Sequence, residues 1–347
     1  REILGEIATG RDPAAVRDTL RRRPTVADLC ERYLAEYASQ HKKASSCKTD
    51  AANIRHHLLP LLGRLNVAEV SRADIDRLKR LVREGKTAAD FRTGPRGRAR
   101  VRGGSGAANR CLALLSKMFG LAEQWGWRPD ASNPCRHIAR YAERKVERFL
   151  STQELGRLGE VLRARAATVP SAVAAIRLLL FTGARLEEVL GLRWDAVDLE
   201  RSLLRLADSK TGAKVIYLSA PAKQVLAGIP RLQGNPYVIA GALAGRPLVN
   251  LEKTWRRIRE ASGLPGVRLH DLRHSFASAA AAGGQSLLVI GRLLGHRSSL
   301  TTERYAHLAA DPIRHANDAT AEHIAGALQP RKAESITPIR RPRTQST

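Results

Sequence analysis

Apolar positions in the first third of this chain recur three and four residues apart, the spacing of one face of a helix. In TVADLCERYLAEYASQ, Val26, Leu29, Tyr33, Leu34 and Tyr37 share a face, and Thr25 or Asp28 can cap the first turn. Residues 46–59 predict a second helix that stops at Pro60, where the ladder loses a donor. A third helix starts near Ser71, with Asp74 in its first turn. Residues 107–125 close the bundle, and Leu112, Leu115, Met118, Phe119 and Ala122 form their buried stripe.

From Phe149 the pattern changes. Ser151 and Glu154 form a capping-box pair ahead of one helix, and residues 172–181 read as a buried one. Gly183 permits a sharp turn into a helix beginning near Arg185, whose core face is Leu186, Val189 and Leu190. The only clear strand signals flank ADSKTGAK: residues 203–206 and 215–218 predict a hairpin with Gly212 in its turn. Helices follow at 221–228 and 250–262. Leu272, Phe276 and Ala279 then mark a helix ended by Gly283-Gly284, and Leu287, Ile290, Leu293 and Leu294 mark another, stopped by Gly295. Ser299 predicts the cap of a short helix carrying Tyr305, and residues 312–328 read as a final amphipathic helix. Residues 329–347, rich in Pro, Arg, Ser and Thr, predict a disordered tail.

Charge narrows the function. The 347 residues hold 59 Lys and Arg against 33 Asp and Glu, a net charge of +26, which points to a polyanionic partner. Aromatics are only 4% of the chain, too few for a protein that stacks on single-stranded bases, so duplex DNA held through its phosphates fits better. A membrane surface is the rival polyanion, but no run approaches the length of a spanning helix and the N-terminus does not read as a signal peptide. Cys30, Cys47, Cys111 and Cys135 are scattered, with neither a zinc spacing nor a disulfide frame, and read as reduced thiols. Residues 85–106 show no apolar period and predict a loop; they hold five arginines and one carboxylate, Asp90. Arg96, Arg98, Arg100 and Arg102 of that stretch are candidate phosphate contacts, as are Arg144 and Lys145 in a basic linker over 129–147. The other reading of residues 85–106 is a surface insertion that touches nothing.

The densest chemistry lies between 270 and 305. His270 and Arg273 are three apart on one helix and can face one ligand. His296 follows Gly295 into a loop, and Tyr305 comes nine residues later. Upstream, Arg185 and Glu188 are also three apart: either an exposed ion pair, or a phosphate-clamping arginine with a carboxylate that orients a neighbour. Lys210 sits on the hairpin turn, where a lysine is usually just solvated; Lys214 takes its place if the register differs.

Taken together, HDLRHSFAS, LLGHRSS and TTERYAHL, in this order and spacing, resemble the C-terminal signature of the tyrosine recombinase (phage integrase) family, and TGARLEEVLGLRW resembles its first motif box. The resemblance covers residues 25–310 and is strongest over 147–310. It implies a mainly α fold: a helical core-binding domain at 25–128 and a mainly helical catalytic domain at 148–311 with a small antiparallel sheet, forming a C-shaped clamp on DNA. ATGRDPAA resembles the segment that follows an arm-type DNA-binding domain, which would make residues 1–24 a linker from a domain upstream. The other reading of that segment is a solvated basic helix.

The implied reaction needs no metal, ATP or other cofactor. A free phenol has a pKa near ~10, so Tyr305 becomes a useful nucleophile only in a cationic pocket. Arg185 and Arg273 would clamp the nonbridging oxygens of the scissile phosphate. Lys210 would protonate the leaving 5′-oxygen, and His270 and His296 would hydrogen-bond the phosphate and assist proton transfer. Tyr305 would end joined to the 3′-phosphate, and the retained bond energy would drive rejoining. The implied partners are duplex recombination sites, three further copies of the chain in a tetramer on DNA, and accessory DNA-bending or directionality proteins. The implied setting is the bacterial cytoplasm at the nucleoid, serving a prophage or other mobile element. The helix at 312–328 would pack at home or on a neighbouring protomer. Two alternatives stand beside this: a type IB topoisomerase-like enzyme, with the same tyrosyl chemistry, and a basic DNA-binding protein without catalysis.

Overall fold

The computed structural model describes residues 23–94, 97–143, 148–207, 212–296, 298–308 and 312–328. Two compact units divide the chain after residue 145.

The first unit begins with α1 (Val26–Arg32). The Thr25 hydroxyl accepts from the Asp28 N–H while Asp28 accepts from the Thr25 N–H, so both expected caps act in one capping box. The helix runs on through a π-helical segment, Tyr33–Ala38. α2 (Ala44–Asn53) also passes through a π-helical turn, Ile54–Leu58, and continues as Leu59–Leu62. The expected stop at Pro60 is therefore wrong. The wider turn resets the ladder, and Pro60 falls at the start of a new α-helical turn, where no N–H is required. α3 (Arg72–Arg83) is capped by Ser71 with Asp74, and α4 (Ser105–Gln124) supplies the longest apolar face. Leu29, Tyr33, Leu58, Ile75, Leu78, Leu115, Met118 and Phe119 fill the core between these helices.

The stretch 85–106 is not a loop. It contains an antiparallel ribbon, β1 (Ala89–Gly94) paired with β2 (Gly97–Val101). Arg98-Ala99-Arg100-Val101 alternates charged and small apolar residues, the period of a strand, with the arginines exposed. Asp90 ties the ribbon together, accepting two hydrogen bonds of 2.7 Å from Arg98 and one of 3.1 Å from Arg100.

Most of the expected linker is strapped to this first unit. Asn109 donates to the Tyr141 carbonyl and accepts from the Tyr141 N–H, Lys79 donates to the Ala139 carbonyl, and Cys135 is buried in the core.

The second unit starts with α5 (Thr152–Ala164), capped by Ser151 and Glu154 as the spacing predicts. α6 (Pro170–Thr182) is the buried helix of its core. It ends at Gly183, which has φ +60 and no room for a Cβ: the nearest atoms would be Phe276 Cδ1 at 2.5 Å and Leu294 Cδ2 at 2.9 Å. The short α7 (Leu186–Leu190) follows at once. A small antiparallel sheet runs β3 (Val197–Asp198), β4 (Leu203–Leu206), β5 (Lys214–Tyr217), with Leu206 opposite Lys214. α8 (Ala220–Ala227) and α9 (Leu251–Ala261) close the core around Trp255, which is fully buried.

α10 (Leu269–Ala282) and α11 (Leu287–Leu294) follow, ended by Gly283 and Gly295. The expected short α-helix around Tyr305 is instead a pair of 3₁₀ segments, Ser299–Thr301 and Glu303–Leu308. Two adjacent β-branched residues, Thr301 and Thr302, are poor helix formers, and the Thr302 hydroxyl is engaged by His296 rather than left free in a helix turn. α12 (Pro312–Leu328) ends the described chain. The N-terminal segment through residue 22 and the expected tail at 329–347 lie outside the described residues. No described helix is long and apolar enough to cross a membrane.

Candidate active site

The site of the second unit forms where α7, α10, α11, the base of β5 and the 3₁₀ segment of Tyr305 meet. Arg185 is the residue just before α7. Its N–H donates to Glu188 Oε2 at 3.0 Å, its Nη1 donates to Oε1 at 2.8 Å, and its Nη2 reaches the Gly295 carbonyl at 3.4 Å. Glu188 thus caps the helix and aims the guanidinium with the same carboxylate.

Arg273 is buried on α10. Its Nη1 donates to the Gly183 carbonyl at 2.6 Å and its Nη2 to the Leu294 carbonyl at 2.7 Å. The two arginines therefore attach to consecutive carbonyls, Leu294 and Gly295, and this is why the glycine-terminated helix ends matter. Burial, then the neighbouring Arg185 charge, push the Arg273 guanidinium down to about 10. It stays protonated at neutral pH, so the pocket carries two fixed positive charges.

His296 follows directly. Its Nδ1 lies 2.8 Å from the Thr302 hydroxyl, which leaves Nε2 for a ligand. Burial, then the charges of Arg273, Arg185, Arg304 and Lys214, push its pKa down to about 4. His270 begins α10 with its ring still reaching solvent; partial burial, then Arg273 and Arg268, lower its pKa as well. Both rings are thus hydrogen-bonding groups rather than cations at neutral pH.

Tyr305 is only 4% exposed, and its hydroxyl lies 2.6 Å from His274 Nδ1. An ionised Tyr305 would raise the Arg273 pKa, so the phenol oxygen lies within the field of the second arginine.

Arg185, His270, Arg273, His296 and Tyr305 are brought into one region. Lys210 lies outside the described residues, as do Arg96, Arg144 and Lys145. Lys214, the alternative on the same hairpin, sits in the site with its Nζ 3.0 Å from Glu188 Oε2. Its side chain runs beneath Gly295, where a Cβ would lie 2.7 Å from Lys214 Cε. Arg98 and Arg100 are exposed on the ribbon of the first unit and paired with Asp90; Arg102 is exposed beyond its end.

Two contributors went unassigned in the sequence. His274 lies one helical turn after His270, inside the quoted HDLRHS, and its ring stands edge-on to His270 with centroids 4.8 Å apart. Asp271 caps α10 by accepting from the Arg268 N–H at 2.7 Å, a capping spacing visible as Arg268 and Asp271 three apart. Among the described residues, no group of three or more His, Cys, Asp or Glu is arranged to hold a metal ion.

The second unit is thus mainly helical, with a small antiparallel sheet beside the site. Residues 148–311 match the model of the phage integrase family. Tyrosine recombinase XerC of Mycobacterium sp. (strain KMS) is 31% identical over 153 residues, covering 41% of this chain and 51% of the relative. The shufflon-specific DNA recombinase of Escherichia coli is 28% identical over 204 residues, 57% and 50% of the two chains. The chain thus spans about half the length of the curated relatives it matches. Among solved structures, a lambda integrase (75–356) dimer bound to a COC′ core site aligns with a TM-score of 0.63 at 21% identity, covering 81% of this chain and 95% of that one. The Tn1549 transposon integrase (82–397) in complex with circular intermediate DNA aligns with a TM-score of 0.59 at 18% identity, covering 81% and 94%. The match to the phage integrase family thus covers residues 148–311, which lie in the second unit.

Proposed function

We propose that this protein is a site-specific recombinase that cuts and rejoins duplex DNA through a 3′-phosphotyrosyl intermediate, integrating or excising a mobile element. The observation that carries this is the gathering of Arg185, Arg273, His270 and His296 around Tyr305 in the second unit. Attack by the phenol on a phosphodiester builds charge on the nonbridging oxygens, and two preorganised guanidinium groups offset it without reorganisation. His270 and His296, held neutral, hydrogen-bond the phosphate and assist removal of the phenol proton. Tyr305 stays bonded to the 3′-phosphate until the free 5′-hydroxyl of a partner strand reverses the step. No metal or nucleotide enters this balance, because the charge is met by arginine and the bond energy is kept.

Lys210 is the proposed proton donor to the leaving 5′-oxygen. What supports it over Lys214 is that Lys214 is committed to Glu188. A substrate with a 5′-bridging sulfur, whose thiolate leaves without a proton, should restore cleavage to Lys210→Ala and not to Lys214→Ala.

The partners of the reading are duplex recombination sites, with the protein assembled as an oligomer on them, a tetramer when two sites are joined. Lambda integrase, similar in fold, has been solved as a tetramer bound to a Holliday junction. Arg98, Arg100 and Arg102, together with Arg96, Arg144 and Lys145, are proposed to run along the phosphate backbone. Accessory DNA-bending or directionality proteins would act with it at the bacterial nucleoid, in the cytoplasm.

Product analysis tests the reading against a type IB topoisomerase-like activity. Two labelled duplexes carrying an attachment site are expected to yield recombinant junctions. Relaxation of a single supercoiled plasmid with no strand exchange would instead favour the topoisomerase reading.

A further inference from the structure

We propose that His274 is the positioning residue of Tyr305, holding the phenol oxygen in register with the arginine pair through the hydrogen bond at Nδ1. The inference rests on the nucleophile role proposed above for Tyr305.

The contact is 2.6 Å between two buried groups on different elements, 31 residues apart in the chain. A buried phenol hydroxyl requires a partner, and leaving it unpaired costs free energy. Tyr305 sits on a 3₁₀ segment, a less regular support than an α-helix, so its aim depends on side-chain contacts. His274 is well placed to give it. It is rooted in the middle of α10, one residue after Arg273, so the same helical turn carries the second arginine and the anchor of the nucleophile. His270 packs edge-on against the His274 ring and limits its rotation.

The surroundings decide between holding the phenol and taking its proton. Burial, then His270, Arg304 and Arg268, push the pKa of the imidazole down to about 4. A ring kept neutral chiefly by burial is a poor acceptor for a full proton but a good hydrogen-bond partner. His274 is therefore assigned an orienting role, acting through Tyr305.

The test uses three proteins: wild type, His274→Leu, and His274→Asn, whose amide can reproduce the bond made at Nδ1. Each is labelled with 3-fluorotyrosine; the chain has six tyrosines, and Tyr305→Phe identifies the relevant resonance. Fluorine NMR is recorded without DNA, and covalent-adduct formation is timed on a nicked suicide duplex. The expected result is a Tyr305 resonance shared by wild type and His274→Asn and displaced in His274→Leu. Adduct formation should be roughly 100-fold slower in His274→Leu and largely restored in His274→Asn, with DNA affinity unchanged and both variants still folded at the assay temperature. An unmoved resonance and a wild-type rate in His274→Leu would overturn the proposal. A rate loss that tracks loss of folded protein would reduce His274 to a structural role and overturn it too. If His274→Asn fails like His274→Leu and the acidic limb of the cleavage pH profile vanishes, His274 takes the proton and the orienting role is wrong. Absence of any adduct in wild type would sink the recombinase reading, while the fluorine spectra would still decide whether His274 sets the phenol.

Discussion

Lys214 Nζ and Glu188 Oε2 are 3.0 Å apart, with both side chains almost wholly withdrawn from solvent. The same carboxylate holds Arg185 through its other oxygen at 2.8 Å. One buried carboxylate thus ties the base of the hairpin to the first arginine of the site. Removing one partner of such a pair leaves an uncompensated buried charge, at a cost of about 3–5 kcal/mol. Glu188→Ala is expected to lower the unfolding free energy of the catalytic unit by that amount. Glu188→Gln combined with Lys214→Met should recover part of it. Urea denaturation measures both, and a loss under about 1 kcal/mol for the single variant would contradict the role given to this pair.

Gly183 makes a second, sharper case. Its left-handed backbone costs an L-residue about 1–2 kcal/mol, and a Cβ there would press on Phe276 and Leu294, adding about 1–3 kcal/mol of overpacking. Gly183→Ala should therefore destabilise the unit more than Gly284→Ala, which has φ +77 but open space around it. Because Arg273 hangs on the Gly183 carbonyl, Gly183→Ala should also slow strand cleavage, while Gly284→Ala should not. Thermal unfolding beside a cleavage assay separates the two; equal effects from both variants would count against the crowding argument.

The histidines set an acid limit. His274 and His296 each have a folded pKa of about 4, below the ordinary value of 6.5. Between those values the unfolded chain binds more protons than the folded one, so stability is full above pH 6.5 and falls as pH drops towards 4. For buried His274 the shift corresponds to about 3 kcal/mol. Replacing it with Asn should flatten the stability profile between pH 6.5 and 4. An unchanged slope in chemical denaturation across that window would show that His274 is not buried as a neutral ring.

The ribbon makes a prediction about salt. Removing one arginine that binds a phosphate should reduce the slope of log affinity against log salt by about 1. Arg98→Ala and Arg100→Ala should each do so while leaving sequence preference alone. Fluorescence anisotropy at several salt concentrations is the measurement, and an unchanged slope would remove the ribbon from the DNA interface. Asp90→Asn, which frees both guanidinium groups, should leave the slope or raise it.

Much of this was legible in the sequence, for identifiable reasons. Helix caps at Ser71, Ser151 and Gly183, and the short hairpin between 203 and 217, are local signals that survive folding. The spacing of Arg185, His270, Arg273, His296 and Tyr305 was visible because each lies at a helix end or on a fixed face. Three features were not. The stop at Pro60 failed because a π-helical turn is not written in a 3.6-residue period. The ribbon was hidden because its apolar partners, Ala99 and Val101, are small and outnumbered by arginine. His274 was hidden because its role depends on Tyr305, which approaches only after the chain has turned twice, at Gly283 and Gly295.

The most direct test of the central claim is a covalent one. The protein is incubated with a duplex nicked close to a candidate crossover site, so that cleavage releases a short fragment and traps the intermediate. Wild type, Tyr305→Phe and Arg273→Ala are compared on a denaturing gel. A slow-migrating protein–DNA adduct is expected from wild type, with none from Tyr305→Phe and, from Arg273→Ala, a rate lower by about 10²–10³. Firm, salt-sensitive binding by all three proteins, with no adduct from any of them, would contradict tyrosyl strand transfer and leave a basic DNA-binding protein on an integrase fold.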